Sequence, residues 1–194
     1  MTQIPWDSGT WLHEPPSHKV TEDGLVVSTA AFSDFWRETA YGFTHYSGHA
    51  LLTEFPPDSA MEVEFSADWT HQFDQAGVLL HADERHWVKA GVEFADGALG
   101  LGAVVTDERS DWSVGHVDEL ITKRIRVRVS RTTDSLTMRA RTTTDPWRLV
   151  RLAPIDPELN WFAGPLAASP TREGLTVTFH SWKSAPSDVG IHEG

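Results

Sequence analysis

The strongest constraint on the fold is a succession of short segments in which apolar and polar residues alternate. Ala60–Phe65 alternates strictly. In Trp87–Phe94, the apolar residues Val88, Ala90, Val92 and Phe94 fall on one side of an extended chain. Short polar turns such as Ala82–His86 join neighbouring segments. No stretch carries a sustained helical period of about 3.6 residues. The pattern therefore predicts antiparallel β-hairpins rather than helices.

This alternation predicts strands along most of the chain, with Gly, Pro, Asp and Asn between them. About ten or more strands at such regular spacing are typical of a two-sheet sandwich or a barrel, so we expect an all-β fold. The clearest predicted strands are Gly24–Ala30, Ala60–Phe65, Gln75–Ala82, Trp87–Phe94, Leu99–Thr106, Arg124–Ser130, Leu136–Thr142, Arg148–Leu152 and Leu175–Trp182.

A single domain accounts for a chain of this length. The 194 residues are enough for one core that buries about 70% of the unfolded surface. We expect one domain over residues 1–185 and a flexible C-terminal tail over residues 186–194. The first sixteen residues lack the basic and apolar regions of a secretory signal, and no apolar run approaches the ~20 residues that span a bilayer. The expected location is the cytoplasm, with no membrane partner.

Charge and cysteine content narrow the function classes. The absence of cysteine excludes disulfides, thiol catalysis and cysteine-based zinc sites. A formal net charge of −12 makes nucleic acid an unfavourable partner. Residues 123–151 are the exception, with nine Lys and Arg against two acids. Because these arginines alternate with apolar residues, we interpret them as the solvated outer face of half-buried strands, and a site for an anionic ligand is the alternative.

One predicted strand carries charged residues in its middle. Trp87, Lys89 and Glu93 share the polar side of this strand, and burying either charge unpaired is very costly, so that side must face water or a ligand. If the strand pairs with the one before it as a hairpin, Gln75 shares this face, although a slip of one residue would reverse the placement. An ordinary ion pair between Lys89 and Glu93 on a solvated face is the simpler alternative.

Five short motifs occur in an order that resembles a known family. They are Ser33–Arg37 (SDFWR), Phe73–Gly77 (FDQAG), Trp87–Glu93 (WVKAGVE), Val104–Thr106 (VVT) and Ser110–Ser113 (SDWS). The succession resembles the domain-of-unknown-function family that contains the YesU and "regulation of enolase" proteins, and the similarity runs from position 6 to position 182. It implies a concanavalin A-like jelly-roll sandwich of two antiparallel sheets with a concave face, and no established activity. Residues 167–170 (AASP) depart from relatives that carry Cys before Ser-Pro, which argues against a thiol-dependent function.

The motifs would supply the chemistry of a ligand site on the concave face. Aromatic plates, amide and carboxylate acceptors and cations suit a carbohydrate, whose ring faces stack on aromatic side chains while its hydroxyls bond to polar groups. Because Lys89 and Arg37 are rare cations in the acidic part of the chain, we expect an anionic sugar such as a uronic acid. Core packing is the alternative for each Trp. The candidate ligand-binding residues are Trp36, Arg37, Asp74, Gln75, Trp87, Lys89, Glu93, Asp111 and Trp112.

We predict a lectin-like domain that binds a carbohydrate or sugar metabolite without evident catalysis, and two alternatives stay open. The first is a glycoside hydrolase or another sugar-processing enzyme, whose proton-transfer groups would come from Glu93, Asp74 and Asp111. Glu62 and Glu64 form a further carboxyl pair, which we interpret as part of a solvated face. The second alternative is an interaction domain that regulates a metabolic enzyme.

No metal or cofactor is predicted. His45 and His49 would stand ~13 Å apart along a strand, too far for one ion. A Ca²⁺ ion in the loop Asp107–Asp111 is an alternative, and the chain contains no Gly-rich phosphate loop. Neither the ligand nor the oligomeric state, a homodimer included, follows from the sequence.

Overall fold

The structure, a computed structural model that describes residues 1–191, is built from antiparallel strands joined by turns and loops. Within that range no helix has the length and apolar character needed to traverse a lipid bilayer. Two 3₁₀ turns cover Trp6–Ser8 and Asp118–Leu120. The strands are β1 (Thr2–Gln3), β2 (Thr10–Leu12), β3 (Ser17–Thr21), β4 (Gly24–Ser28), β5 (Phe35–Arg37), β6 (Thr44–Tyr46), β7 (His49–Glu54), β8 (Ser59–Ala67), β9 (Asp74–His81), β10 (His86–Ala95), β11 (Ala98–Asp107), β12 (Arg109–His116), β13 (Ile125–Arg131), β14 (Ser135–Thr142), β15 (Arg148–Pro154), β16 (Phe162–Ala168) and β17 (Thr176–Pro186).

Two large sheets form a jelly-roll sandwich. The back sheet has the order β15-β14-β13-β8-β17-β4-β3, with β1 paired to β17, and the front sheet has the order β12-β11-β10-β9-β16-β7-β2. Every pairing is antiparallel. Strands β5 and β6 form a separate hairpin. The predicted all-β fold of two antiparallel sheets is confirmed.

All nine predicted strands are present, and the last of them continues to Pro186. The alternation pattern missed several others for identifiable reasons. Strands β7 and β16 are buried along most of their length, so their sequences show continuous apolar runs instead of alternation. Strand β12 is an exposed, mostly polar edge strand that carries little hydrophobic signal.

The main core fills the space between the sheets. It is built from the apolar side of each alternating strand: Val63 and Val127 from the back sheet meet Val88 and Ala90 from the front sheet, and all four are at most 2% exposed. This burial explains why the odd positions of β10, which include 87, 89 and 93, point away from the back sheet.

A second, smaller core lies on the outer face of the front sheet, under the β5–β6 hairpin. Phe35 of β5 is fully buried against Trp87 of β10, with ring centroids 5.6 Å apart. Tyr46 of β6 packs edge-on against Phe35 with centroids 5.5 Å apart. The hairpin therefore covers one end of this face and leaves the other end for a pocket.

Three glycines form a row across the same face. Gly77, Gly91 and Gly102 lie side by side in register on β9, β10 and β11. A Cβ atom on Gly91 would lie 2.2 Å from the carbonyl oxygen of Ala76, and one on Gly102 would lie 2.0 Å from that of Ser113. Only glycine fits these positions, and the row leaves open space between Lys89 and Glu93.

The outer face of the back sheet differs from the sequence-based interpretation. Glu62, Glu64 and Arg139 are only 2%, 7% and 4% exposed, so the solvated-face interpretation is wrong for them. The charged side chains lie against one another, and the C-terminal segment packs over them. The carboxylate of Asp188 in that segment bonds Arg128 at 2.7 Å and also Arg139.

The C-terminal segment was expected to form a flexible tail over residues 186–194. Pro186 is the last residue of β17, and the amide of Ser187 donates to the carbonyl of Asp58 over 3.0 Å. The carbonyls of Gly190 and Ile191 accept hydrogen bonds from a buried arginine of β14. Residues 187–191 are thus bonded to the body of the domain, and residues 192–194 lie outside the described residues.

Candidate functional site

A pocket of about 300 Å³ opens on the outer face of the front sheet, beside the β5–β6 hairpin. This volume is at the lower end of the range of small-molecule sites. We call it the front pocket. It combines apolar walls with a polar floor, and it is lined by Asp34, Trp36, Tyr41, Phe43, His45, Phe73, Gln75, Lys89, Glu93, Val104, Trp112, Pro170 and Thr171.

Three side chains form a closed polar network at the floor. The Lys89 Nζ lies 3.0 Å from Oδ1 of Asp34 and donates to Oε1 of Gln75 over 2.8 Å. The amide of Gln75 completes the triangle by donating to Asp34 Oδ1 over 3.2 Å. Asp34 directly precedes β5, and its Oδ1 also accepts the amide of Phe35 at 2.7 Å. The network neutralises Lys89 and holds the Gln75 amide in one orientation.

Glu93 provides the carboxyl group that this network leaves unused. It lies opposite Gln75 in the β9–β10 register, is half-buried, and lines the front pocket. No donor within residues 1–191 forms a hydrogen bond with its carboxylate. Burial raises the pKa of Glu93, while the charge of Lys89 opposes that shift. Such a carboxyl group can accept a hydrogen bond from a ligand hydroxyl when ionised and donate one when protonated.

Aromatic side chains from the hairpin form one wall. The indole N–H of Trp36 donates to the carbonyl of Thr39 over 3.0 Å, which orients the ring. Tyr41 packs edge-on against Trp36 at 5.6 Å, and Tyr41 and Phe43 stack at 5.4 Å with an interplanar angle of 12°. Tyr41 and Phe43 are 62% and 44% exposed, so they form an apolar patch of the kind that often marks an interaction site.

Trp112 supplies aromatic surface from the opposite edge of the sheet. It lies on β12 opposite Val104 of β11, which in turn lies opposite Lys89 of β10. Trp112 is 42% exposed and lines the front pocket. A large ring left open to solvent beside a polar floor is available for stacking.

The backbone around the pocket is strained. Glu38 and Ala40, in the turn between β5 and β6, adopt left-handed conformations with φ of 61° and 63°. Phe73, on the pocket rim, has φ of 65°, and its amide donates to the carbonyl of Phe94 over 2.6 Å. Left-handed backbone is uncommon for bulky residues and tends to cluster at functional sites.

The structure brings five of the nine sequence-predicted residues into the front pocket. They are Trp36, Gln75, Lys89, Glu93 and Trp112. The β9–β10 register decides this grouping, because it aligns Gln75 with Glu93.

Two other predicted residues lie nearby but do not line the pocket. Trp87 is 1% exposed and belongs to the second core beneath Phe35, so no ligand reaches it. Arg37 turns toward the β11–β12 connection, where its Nε donates to the carbonyl of Glu108 over 2.8 Å.

The two remaining carboxylates lie on the opposite side of the front sheet. Asp74 pairs with Arg172 at 2.7 Å, and Asp111 pairs with Arg151 of β15 at 3.0 Å. Burial by itself raises the pKa of Asp74, but hydrogen bonds from Arg172 and from two backbone amides bring it below its usual value. Neither carboxylate is placed to act with Glu93.

The sequence reasoning missed several pocket residues. Asp34 stood within the first family motif but was not selected, and only its contact with Lys89, 55 positions away, reveals its role. The dense aromatic run 41–46 (YGFTHY) was a signal for the hairpin wall. Phe73 stood at the start of the second family motif but was not selected, and the rim residues Pro170 and Thr171 gave no signal that distinguishes them from ordinary loop residues.

Among residues 1–191, no three His, Cys, Asp or Glu side chains converge closely enough to hold an ion. His45 lines the front pocket, whereas His49 lies on buried β7, where its Nδ1 bonds the carbonyl of His13 at 2.7 Å. Residues 107–111 are the end of β11, the single connecting residue Glu108 and the start of β12, and Asp111 is already paired with Arg151.

Comparisons with known proteins show similarity in sequence and in fold. The model of the family described as "Protein of unknown function (DUF1349)" matches residues 11–187. The chain is 37% identical over 186 residues to "Regulation of enolase protein 1" from Saccharomyces cerevisiae, covering 95% of this chain and 93% of that protein.

Solved structures extend the comparison. The crystal structure of a functionally unknown protein from Saccharomyces cerevisiae superposes with a TM-score of 0.89 at 35% identity, over 96% of this chain and all of that chain. The GH43 protein BlXynB from Bacillus licheniformis has a TM-score of 0.72 at 10% identity, over 92% of this chain but 37% of that chain. The second likeness shows a shared sandwich fold alone.

Proposed function

Because this chain belongs to the family of unknown function DUF1349, whose description assigns no activity, we propose its role from the front pocket: it is a lectin-like domain that binds a neutral carbohydrate or sugar metabolite. One observation carries the proposal, namely exposed aromatic surfaces and a fixed polar floor within a single pocket of about 300 Å³. Pyranose rings present apolar faces and a rim of hydroxyls, which this combination complements.

The binding mode follows from the positions of the side chains. A sugar ring stacked on Trp112 has its hydroxyls within reach of Glu93 and Lys89, since all three line the same pocket. The Lys89–Asp34–Gln75 network is held by its own hydrogen bonds, so binding requires little ordering of these groups. The aromatic wall of Trp36, Tyr41 and Phe43 excludes water from the other side.

The charges favour a neutral sugar over the anionic one expected from the sequence. Lys89 is already paired with Asp34, and Arg37 bonds a backbone carbonyl outside the front pocket. Glu93 adds a carboxyl group. The described lining therefore offers a uronic acid no unpaired cation, and its own carboxyl groups would repel one.

A catalytic role is a second candidate, because the pKa of Glu93 is raised by burial. A carboxyl group with that property can act as a general acid, and Asp34 is the other carboxylate of the same pocket. Hydrolysis would therefore depend on Glu93 with Asp34, and not on Asp74 or Asp111.

Regulation of a metabolic enzyme is a third candidate, supported by the name of the yeast relative, "Regulation of enolase protein 1". The exposed rings of Tyr41 and Phe43 would then contact a partner protein, and a sugar in the adjoining pocket would modulate that contact. Cytoplasmic residence stays a prediction, which fractionation of native cells would check.

The direct test is isothermal titration calorimetry of the purified protein with neutral mono- and oligosaccharides, uronic acids and sugar phosphates. We expect saturable binding of a neutral sugar and no released product. Trp112→Ala should weaken binding about tenfold, equivalent to about 1.4 kcal/mol, because it removes the stacking surface. Trp112→Phe should retain most of the affinity.

Matched variants separate binding from catalysis and from unfolding. Leu152→Ala removes an exposed apolar side chain of the back sheet and should bind like the wild type. Glu93→Gln should weaken binding, whereas Glu54→Gln, at the exposed end of β7, should not. Product release that Glu93→Gln abolishes would replace the binding proposal with the catalytic one. Absence of binding across the whole panel would overturn both sugar proposals and favour the regulatory one.

A further inference from the structure

A second cavity, of about 320 Å³, lies on the outer face of the back sheet, on the opposite side of the sandwich from the front pocket. We call it the back groove. Unlike the front pocket it is lined mainly by charged groups: Met1, Glu62, Arg128, Arg139, Arg141, Trp147 and Asp188.

Strand pairing places like charges side by side in this groove. Arg128 of β13 lies opposite Arg139 of β14, and Arg126 lies opposite Arg141 in the same ladder. Like charges directly opposite one another destabilise a sheet unless anions lie between them. Glu64 compensates Arg126 through a contact of 3.1 Å. Glu62 of β8 lies opposite Arg128 and is one carboxylate of the groove, so its three arginines need at least one further anion.

Asp188 of the C-terminal segment supplies that anion for two of them. Its carboxylate accepts hydrogen bonds from Arg128 Nε at 2.9 Å and Nη2 at 2.7 Å, and from Arg139. Arg139 and Arg128 have only 4% and 12% of their side chains exposed, so these contacts are shielded from water. A carboxylate that accepts hydrogen bonds from two guanidinium groups is held in the same way as a bound anionic ligand would be.

Arg141 is left without such a partner. Its guanidinium lies 4.3 Å above the ring centroid of Trp147. Its Nε is buried, and no acceptor within residues 1–191 bonds it. A buried N–H without an acceptor is costly. The other N–H groups of this guanidinium also have no acceptor within residues 1–191, and a phosphate or carboxylate oxygen in the groove would accept from them.

We propose that the back groove is a second ligand site, which takes a small anionic metabolite bearing a phosphate or carboxylate group. The anion is held by Arg141, stacked on Trp147, together with Arg139 and Arg128. Asp188 competes for the last two, so the C-terminal segment acts as an internal competitor. The volume exceeds that of a bare phosphate, which leaves room for the body of the metabolite.

The test measures binding of inorganic phosphate and of malonate by calorimetry at constant ionic strength, with chloride as the screening control. Asp188→Asn should bind these anions about tenfold more tightly than the wild type, because it removes the competing charge; this corresponds to about 1.4 kcal/mol. Arg141→Gln should abolish binding in both backgrounds. Asp111→Asn, which removes a carboxylate from an arginine outside the groove, should behave as the wild type.

Folding is checked for each variant by circular dichroism and thermal unfolding. If Arg141→Gln does not fold, Arg141→Lys replaces it. Lysine keeps the positive charge but loses the planar guanidinium that donates two parallel hydrogen bonds, so binding should still weaken. Equal affinity in Asp188→Asn and Asp111→Asn, binding that survives loss of the Arg141 guanidinium, or no binding to Asp188→Asn would each overturn the proposal. Trp112→Ala should leave anion binding unchanged, which keeps this test independent of the front pocket.

Discussion

Replacing Asp74 by Asn separates a structural role from a catalytic one at a fully buried carboxylate. Asp74 accepts two hydrogen bonds from Arg172, at 2.8 and 2.7 Å, and one from each of the amides of Thr70 and His71, at 3.1 and 3.0 Å. Asparagine keeps the size of the side chain but removes its charge. Arg172 would then lie against a neutral amide that cannot compensate it.

The magnitude follows from the burial of the pair. Breaking a buried ion pair by removing one partner costs about 3–5 kcal/mol. Because the Arg172 side chain is 21% exposed, its charge is partly solvated, and we expect the lower end, about 3 kcal/mol. For a domain of this size that loss lowers Tm by about 6–12 °C.

The pH dependence of stability provides an independent check on this role of Asp74. The pKa of Asp74 is held below its usual value in the folded protein, so the unfolded chain binds a proton more readily. The carboxylate therefore stabilises the fold fully above about pH 4, and the stabilisation is lost as the pH falls through the folded pKa. Asp74→Asn should lack this part of the acid sensitivity.

The assay is urea unfolding followed by tryptophan fluorescence, with sugar binding measured at a temperature where the variant is folded. Asp111→Asn is the matched control, because its carboxylate also pairs with an arginine but is 70% exposed, and it should cost less than about 1 kcal/mol. We expect Asp74→Asn to lose stability and keep binding. A variant of wild-type stability that no longer binds or processes sugar would show that the carboxylate acts on the ligand and that this reasoning is wrong.

Three further predictions concern buried or closely packed residues of the sandwich. Trp87→Ala should cost about 3–5 kcal/mol by opening a cavity in the second core, measured by urea unfolding; a change below about 1 kcal/mol would contradict its burial. Burial lowers the pKa of His49, whose Nε2 accepts the amide of Ala30 at 3.0 Å, so stability should fall as the pH drops below about 6.5 and this slope should diminish in His49→Asn. Gly91→Ala should destabilise the protein by about 1–3 kcal/mol and weaken sugar binding, because the new Cβ would lie 2.2 Å from the carbonyl oxygen of Ala76; an unchanged Tm would refute the close approach.

The sequence predicted local features well where one face of a strand meets the core and the other meets a polar environment. Trp87–Phe94 is an example: its alternation identified both the strand and the side on which Lys89 and Glu93 lie. The same logic failed at β7 and β16, because burial on both faces removes the alternation. It also misjudged Glu62, which the alternation assigned correctly to the outer face but which the C-terminal segment and neighbouring arginines cover.

By itself, the sequence determined the strand pattern, the all-β class and the faces of the individual strands, because side-chain direction along an extended chain follows from covalent geometry. Only the tertiary structure decided which charges meet. It paired Lys89 with Asp34, Asp74 with Arg172 and Asp188 with two arginines, all across separations of tens of residues. Such contacts depend on strand order and on where connecting segments pack, and no local pattern encodes either. For that reason the same residue types yielded a ligand pocket on the front sheet and a charged groove on the back sheet.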